Sequence, residues 1–256
     1  MASVRNLLAL NDPDPKEMSV VGHLDELRQR LIKCILTVCL GSIVGWFLKA
    51  EVFSLLAAPI QPFVATKNQP LGAEFVFNKL TDGFVIELKL SIAVGVALGL
   101  PVLLYQIWMF VAPAISVHTR RYVVPFVSLG IVLFIVGMSV GYALFPLVVR
   151  FLVSQSANFA DTKLLLTIGD YVAQFGLVLV VFGAVFEMPV VLTFLALIGI
   201  VTSRFLRSKR KIAGMLGLIM AMIITPGADP ITPFVTAAIV YILYEFSIIM
   251  VRLVHR

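Results

Sequence analysis

The segment FGLVLVVFGAVFEMPVVLTFLALIGIV, residues 175–201, decides the fold class of this chain. Its one charged residue is Glu187, with twelve residues of the segment before it and fourteen after it. An apolar run of this length is typical of a helix that spans a bilayer. At about 1.5 Å per residue, Glu187 falls roughly 18 Å along the helix, near the bilayer midplane. Because Pro189 removes a backbone hydrogen bond just beyond it, we expect a bend there.

A carboxylate at the bilayer midplane costs about 2.5–3.5 kcal/mol on insertion scales. We therefore expect Glu187 to be protonated, to be paired, or to face a polar groove. Two interpretations stay open. The residue is either a hydrogen-bonded structural acid buried between helices, or a functional group, which is the default for an intramembrane acid.

The composition supports a membrane protein. The chain has 256 residues, of which 60% are hydrophobic and 13% are charged, and its mean hydropathy is +1.03. Soluble domains carry about 25% charged residues, so this chain belongs to the polytopic membrane class. Its net charge of +6 does not indicate nucleic acid as a partner, because the basic residues flank apolar segments.

Six apolar segments are predicted to cross the membrane, at about residues 31–48, 84–112, 122–145, 170–201, 212–224 and 233–251. The predicted fold class is all-α, with one six-helix domain at residues 23–256 after a polar tail at residues 1–22. The fifth segment is only about 20 Å long, so we expect the membrane to thin there or the helix to border a polar recess.

The connections carry their own signals. Residues 49–82 are predicted to form an external loop, with a short amphipathic helix at residues 52–56 lying on the interface. Pro146 is predicted to bend or end the third span, and residues 150–168 are predicted to form a second external loop. Thr167, with Asp170 three residues later, has the spacing of a capping box that opens the fourth span.

Basic residues set the expected orientation. If the amino-terminal tail is cytoplasmic, fourteen of the 20 lysines and arginines lie on that side of the membrane and six lie on the other. The positive-inside rule then places both termini in the cytoplasm.

Several enzyme classes are excluded by their missing motifs. Residues 137–141 match G-x-S-x-G, but they lie inside the third span, whereas a nucleophile elbow needs a strand-to-helix turn and a partner histidine. The sequence contains no G-x-x-x-x-G-K-[ST] and no H-E-x-x-H. We therefore expect a binding or transport scaffold rather than an enzyme, with no cofactor and no metal site.

The nine residues His23 to Leu31 read HLDELRQRL and form an amphipathic lead-in to the first span. Charges that flank a membrane helix and fix its orientation explain the arginines. They do not require Glu26 among those arginines.

Together, five segments resemble the TatC family, the receptor subunit of the twin-arginine protein translocase. The matching segments follow one another in order at residues 23–31, 101–114, 186–189, 225–230 and 243–245. The resemblance implies six helices in a concave, glove-like bundle in the bacterial cytoplasmic membrane. It also implies export of folded proteins whose signal peptides carry paired arginines, driven by the proton-motive force. The implied partners are these signal peptides, the single-span proteins TatA and TatB, the lipid bilayer and further copies of the chain.

The resemblance also implies roles for particular residues at the cytoplasmic face. Glu26 would accept a signal-peptide guanidinium in a charge-assisted contact. Arg28 and Arg30 would shape that surface, and Phe110 would line it. Thr119 occupies the position before the paired basic residues of the first cytoplasmic loop, where the family usually has a second glutamate.

Asp25 or Glu17 is the alternative acid for that missing glutamate. Inside the membrane, the resemblance places Glu187 in the concave groove, where it would meet a polar residue of a signal peptide or of a single-span partner. Thr225 and Asp229 belong to the same group of polar partner contacts, and Pro59 matches the external cap.

Two other functions stay open. A secondary transporter for a small solute would use Glu187 as a proton-coupled carrier, but residues 31–145 and 170–251 show no inverted repeat. A pure assembly scaffold is the third hypothesis, and it would not need Glu26.

Overall fold

The computed structural model describes residues 20–63, 74–111, 123–156, 165–224 and 231–254. Four helices make up the first part of the bundle: α1 (Val20–Ala57), α2 (Asp82–Val111), α3 (Val123–Ser156) and α4 (Ile168–Phe186). The second part contains α5 (Met188–Leu197), α6 (Ser203–Ser208), α7 (Arg210–Ile224) and α8 (Ile231–Val254). Two short strands, β1 (Glu74–Val76) and β2 (Leu165–Thr167), pair in parallel.

The all-helical, polytopic membrane fold is confirmed. Within the described ranges, five helical segments are long and apolar enough to cross a membrane, with α4 and α5 counted together. The predicted fifth span corresponds to α7, whose 15 residues reach about 22 Å. Because α7 is shorter than an ordinary hydrocarbon core, the count of six spans remains a prediction.

Helix α1 is longer than predicted. Residues 49–57 were expected in a loop with a separate interfacial helix at 52–56, and this was wrong, since α1 continues without a break to Ala57. The sequence offers the physical reason, because no proline occurs in α1 and the first one after it is Pro59. Lys49 also forms an ion pair with Glu87 of α2 at 2.5 Å, which fixes this part of α1 against its neighbour.

Proline has different effects in two helices. Pro146 lies inside α3, so the helix does not end there, and residues 150–156, predicted as the start of a loop, are helical. A bend at Pro146 stays a prediction. A membrane helix tolerates such a proline because neighbouring helices supply hydrogen-bond partners for the backbone groups that the proline leaves unpaired. Near Pro189, by contrast, the helix is interrupted at Glu187, as expected, between α4 and α5.

Contacts between side chains show which helix ends lie together. Trp108, near the end of α2, lies 5.4 Å from Phe126 at the start of α3 and 4.5 Å from Phe194 near the end of α5, measured between ring centroids. At the opposite end, the Tyr142 hydroxyl donates to the Leu55 carbonyl oxygen at 2.9 Å. We call these the first end and the second end of the bundle.

Helices α1 and α2 pack closely through small residues. A β-carbon at Gly95 of α2 would lie 2.6 Å from the Val38 carbonyl oxygen of α1, and one at Gly45 would lie 2.5 Å from the Ser91 carbonyl oxygen. Such small-residue stripes let membrane helices approach until their backbones touch. Away from this contact and from the buried residues Leu56 and Ala57, most side chains of α1 are exposed or half-buried.

The G-x-S-x-G sequence of α3 has a packing role. A β-carbon at Gly137 would lie 2.6 Å from the Phe182 carbonyl oxygen of α4, and one at Gly141 would lie 3.1 Å from the Phe182 β-carbon. Conversely, Gly183 of α4 makes room for the ring of Phe134. The two glycines of the motif therefore seat an aromatic residue of the neighbouring helix.

The second end is built around Tyr171. Its buried hydroxyl donates to the Leu56 carbonyl oxygen at 2.7 Å, and its ring contacts Phe145 and Phe175. Thr167 is the residue before α4, but its side chain makes no capping hydrogen bond, so the predicted capping box does not form. Thr167 is also the last residue of β2, where it pairs with Val76 of β1.

Candidate functional site

The start of α1 presents one acidic and one basic side chain on the same face. Glu26 and Arg30 are four residues apart, a spacing that brings helical side chains together. The Arg30 Nε donates to Glu26 Oε1 at 2.9 Å, and its Nη2 donates to the same oxygen. Only 20% of the Glu26 side chain and 17% of the Arg30 side chain are exposed, so the pair is well ordered.

The pair is anchored to a second helix. Arg30 Nη1 donates to Gln106 Oε1 of α2 at 3.2 Å. The His23 ring stacks on Phe110, also of α2, with centroids 4.4 Å apart and an interplanar angle of 16°. We call these five residues, His23, Glu26, Arg30, Gln106 and Phe110, the polar cluster; it lies at the first end of the bundle.

The two carboxylate oxygens of Glu26 differ in their hydrogen bonding. Arg30 occupies Oε1, whereas Oε2 is buried and accepts no hydrogen bond from the described residues. His23 Nδ1 lies 3.8 Å from this oxygen, which is too long for a hydrogen bond. A buried acceptor without a partner is costly, so a donor from outside the described residues would stabilise the cluster.

The other residues predicted at this face are not part of the cluster. Asp25 and Arg28 are exposed on other faces of α1. Thr119 lies outside the described residues, as do Thr225 and Asp229, which were predicted as polar partner contacts inside the membrane. The structure therefore joins Glu26, Arg30 and Phe110, and it leaves Asp25 and Arg28 on the outer surface of the helix.

Two members of the cluster were not predicted as site residues. His23 and Gln106 lie in the segments 23–31 and 101–114 that carried the family resemblance, but neither was assigned a role. The positions of Glu26 and Arg30 within one helix turn follow from the sequence. The contact between residues 30 and 106 does not, because it depends on how α1 packs against α2.

Glu187 occupies the break between α4 and α5, against α3. A β-carbon at Gly130 of α3 would lie 2.9 Å from Glu187 Oε2 and 3.3 Å from Oε1. Glu187 Oε1 is buried and has no hydrogen-bond partner among the described residues. The interpretation as a hydrogen-bonded structural acid is therefore not supported by the described residues, and the carboxyl group stays available for an added donor.

Pro59 lies at the second end, in the turn after α1. It is half-buried, and Ile60 beside it is only 1% exposed and joins the core around Tyr171 and Phe175. Its neighbourhood is a packed apolar cap. No group of three or more His, Cys, Asp or Glu residues in the described ranges is arranged to hold a metal ion.

Comparison with known proteins gives consistent matches. Residues 22–238 match the family described as Sec-independent protein translocase protein (TatC). A protein of that name from Desulforapulum autotrophicum is 37% identical over 231 residues, which cover 90% of this chain and 83% of the relative. The protein of that name from Escherichia coli (strain K12) is 30% identical over 246 residues, covering 96% and 91% respectively.

Solved structures agree with the sequence matches. A crystal structure of the twin arginine translocase receptor TatC superposes with a TM-score of 0.74 and 33% sequence identity. The match covers 91% of this chain and 100% of the crystallised chain. A second crystal structure of that receptor, in DDM, gives a TM-score of 0.75.

Proposed function

This chain belongs to the TatC family, and from that premise we propose that its polar cluster binds the paired arginines of twin-arginine signal peptides. The family is a protein translocase family rather than an enzyme family, and its members are multi-pass proteins of the bacterial inner membrane. The proposed substrate is a folded precursor protein, and the proposed role is to receive its signal peptide and organise the translocase around it.

The observation that carries this proposal is the unused oxygen of Glu26. A guanidinium group presents several N–H donors in a plane and forms strong, charge-assisted hydrogen bonds with carboxylates. Arg30 holds the other oxygen and so fixes the orientation of the carboxylate. The stacked rings of His23 and Phe110 supply an apolar and aromatic wall beside it, and an aromatic face also attracts a guanidinium.

The remaining residues of the proposed recognition surface have supporting roles. We assign Arg30 and Gln106 to positioning the carboxylate, because they form the hydrogen-bonded chain from α2 to Glu26. Asp25 and Arg28, exposed on the same helix, would contact the flanking parts of the signal peptide. Thr119 would lie in the loop that follows α2, and it contributes no charge to the site.

The proposed orientation places the first end of the bundle in the cytoplasm. The support is the positive-inside rule, since the basic residues of the sequence concentrate at this end and at both termini. A precursor made in the cytoplasm would therefore meet the polar cluster directly.

For Glu187 we propose a contact with a polar residue of a membrane-embedded partner. The support is a carboxyl group at the break between α4 and α5, one oxygen of which has no hydrogen-bond partner in the described ranges. TatA- and TatB-type single-span proteins and the signal peptide itself are the candidate partners, with Thr225 and Asp229 as further polar contacts. Self-association in a larger complex and a structural role for Pro59 in the external cap complete the proposal.

The two alternatives from the sequence are weaker. A secondary transporter for a small solute does not fit membership of a protein translocase family. A pure assembly scaffold would not require the pairing of Glu26 with Arg30 and Gln106 across two helices.

Photocrosslinking tests the proposal. A precursor that carries a photoreactive residue beside its paired arginines is bound to membranes that contain wild-type protein, Glu26→Ala or Glu51→Ala. We expect Glu26→Ala to weaken binding roughly tenfold or more, the scale of a hydrogen bond to a charged group. Glu51 is an exposed acid at the other end of α1, so its variant controls for the loss of one negative charge. Equal crosslinking by wild type and Glu26→Ala would remove Glu26 from the site.

A further inference from the structure

A strongly basic segment, residues 204–211, runs from α6 into the start of α7 at the first end of the bundle. Its five basic residues are Arg204, Arg207, Lys209, Arg210 and Lys211. Residues 188–224 contain no acidic residue at all. The segment includes most of α6, and neither the proposed signal-peptide site nor the contact at Glu187 uses it.

The short helix α6 is held firmly in place. Thr202 caps it, with its side-chain oxygen accepting from the Phe205 backbone N–H at 3.2 Å. The Tyr244 hydroxyl of α8 donates to the Leu206 carbonyl oxygen at 2.8 Å. Leu206 itself is 4% exposed and belongs to an apolar cluster with Val251. These contacts fix one side of α6 against α8.

The five basic side chains differ in their partners. Arg210 forms an ion pair with Glu245 of α8 at 2.6 Å. The other four, Arg204, Arg207, Lys209 and Lys211, are exposed, and none of them forms an ion pair in the described part of the chain. Four exposed cations therefore lie close together in the chain, without an ion-pair partner among the residues that the structure describes.

Apolar side chains border these cations. Phe205 is 52% exposed and lies beside Lys209, whose Nζ is 6.0 Å from the ring centroid. Ile200 and Ile212, before and after the basic segment, are 68% and 46% exposed. A surface with basic groups next to exposed apolar ones is typical of the boundary between lipid headgroups and acyl chains.

We propose that this surface, residues 200–212, binds the phosphate headgroups of anionic phospholipids in the leaflet at the first end. Clusters of four or more lysines and arginines next to a membrane helix attract anionic lipids. Phe205 and the two isoleucines would contact the acyl chains of the same lipids. A twin-arginine signal peptide is a poor fit, because its own positive charges would be repelled by the four cations.

The experiment measures lipid binding to the full-length protein, purified in detergent, by native mass spectrometry. Wild-type protein is titrated with phosphatidylglycerol or with phosphatidylcholine, and is compared with the variant Arg204→Gln/Arg207→Gln/Lys209→Gln. Each basic residue near an anionic surface contributes about fivefold, so we expect the triple variant to bind phosphatidylglycerol on the order of a hundredfold more weakly. Binding of phosphatidylcholine should not change.

Two further variants control the result. Lys79→Gln/Lys89→Gln/Arg150→Gln removes three exposed positive charges elsewhere and should bind phosphatidylglycerol as wild type does. Arg204→Lys/Arg207→Lys/Lys209→Arg keeps the charges and should keep most of the binding. Inorganic phosphate at the same concentration as the lipid should not compete, because it lacks acyl chains.

Three outcomes would overturn the proposal. The first is equal binding of phosphatidylglycerol by wild type and by the triple glutamine variant. The second is an equal loss in the variant that removes charges elsewhere, which would indicate attraction by net charge alone. The third is crosslinking in membranes from a photoreactive residue at Phe205 to protein rather than to lipid.

Discussion

The close contact of α1 with α2 makes Gly95→Ala an informative substitution. The added β-carbon would lie 2.6 Å from the Val38 carbonyl oxygen and 2.7 Å from the Ser42 backbone nitrogen, and it would collide with the Ser42 hydroxyl. Both measured contacts are to backbone atoms, which a side-chain rotation cannot move. The two helices must therefore separate.

The size of the effect follows from these distances. Restoring ordinary van der Waals contact at about 3.5 Å requires the helices to move apart by about 1 Å near Gly95. Overpacking of this kind costs about 1–3 kcal/mol. Since α1 packs mainly against α2, we expect the apparent melting temperature in detergent to fall on the order of 5 °C.

The displacement should also reach the polar cluster. The Arg30–Gln106 hydrogen bond joins the same two helices and is already 3.2 Å long. If the helices separated there by even half of the roughly 1 Å estimated at Gly95, about 0.5 Å, the two atoms would be too far apart for a hydrogen bond. We therefore expect Gly95→Ala to weaken signal-peptide crosslinking although it removes no site residue. Thermal unfolding and crosslinking are measured on the same preparations.

Gly176→Ala is the matched control, because a β-carbon there meets nothing within 4 Å. Alanine is favoured over glycine in a helix by up to about 1 kcal/mol, so this variant should be as stable as wild type or more so. If Gly95→Ala unfolded at the wild-type temperature, the close packing of α1 and α2 would be refuted. If Gly95→Ala unfolded at a lower temperature but bound signal peptide normally, the coupling between the α1–α2 contact and the polar cluster would be refuted.

Three further predictions concern the rest of the bundle. Glu187→Ala should leave signal-peptide crosslinking largely intact but impair transport, and normal transport would return this residue to a structural role. Tyr171→Phe leaves a buried carbonyl oxygen without its donor and should lower the free energy of unfolding by about 1–3 kcal/mol, measured by thermal unfolding. Tyr142→Phe removes an exposed hydrogen bond and should lower it by less. Equal losses in the two variants would contradict this. A double-mutant cycle between Arg210 and Glu245 should give a coupling below about 1 kcal/mol, because both side chains are partly exposed, and a much larger value would show that the pair is desolvated.

The sequence predicted the elements of the fold better than their ends. Long apolar runs identified the membrane helices, because the hydrocarbon core admits few other structures. The interruption near Pro189 was also predictable, since a proline removes a specific hydrogen bond. Residues 49–57 and 150–156 were assigned to loops, because hydropathy marks where a helix leaves the membrane and not where it ends.

The contacts of the functional site were also predictable only in part. Glu26 and Arg30 share a helix face through local geometry, and the sequence alone places them together. Their anchorage by Gln106 and the stacking of His23 on Phe110 join residues about eighty positions apart. These contacts depend on how α1 and α2 are aligned along each other, and the close backbone contacts at Gly45 and Gly95 set that alignment.

The sequence by itself determined that this chain is a helical membrane protein with an acid near the middle of one span. It did so because apolar length and helical spacing are local properties. The tertiary structure decided that one oxygen of Glu26 is bonded to Arg30 and that Glu187 lies against Gly130, and that in the described part of the chain the other oxygen of Glu26 and Oε1 of Glu187 have no hydrogen-bond partner. Such facts depend on the distance between helices, which is fixed by contacts between residues far apart in the chain.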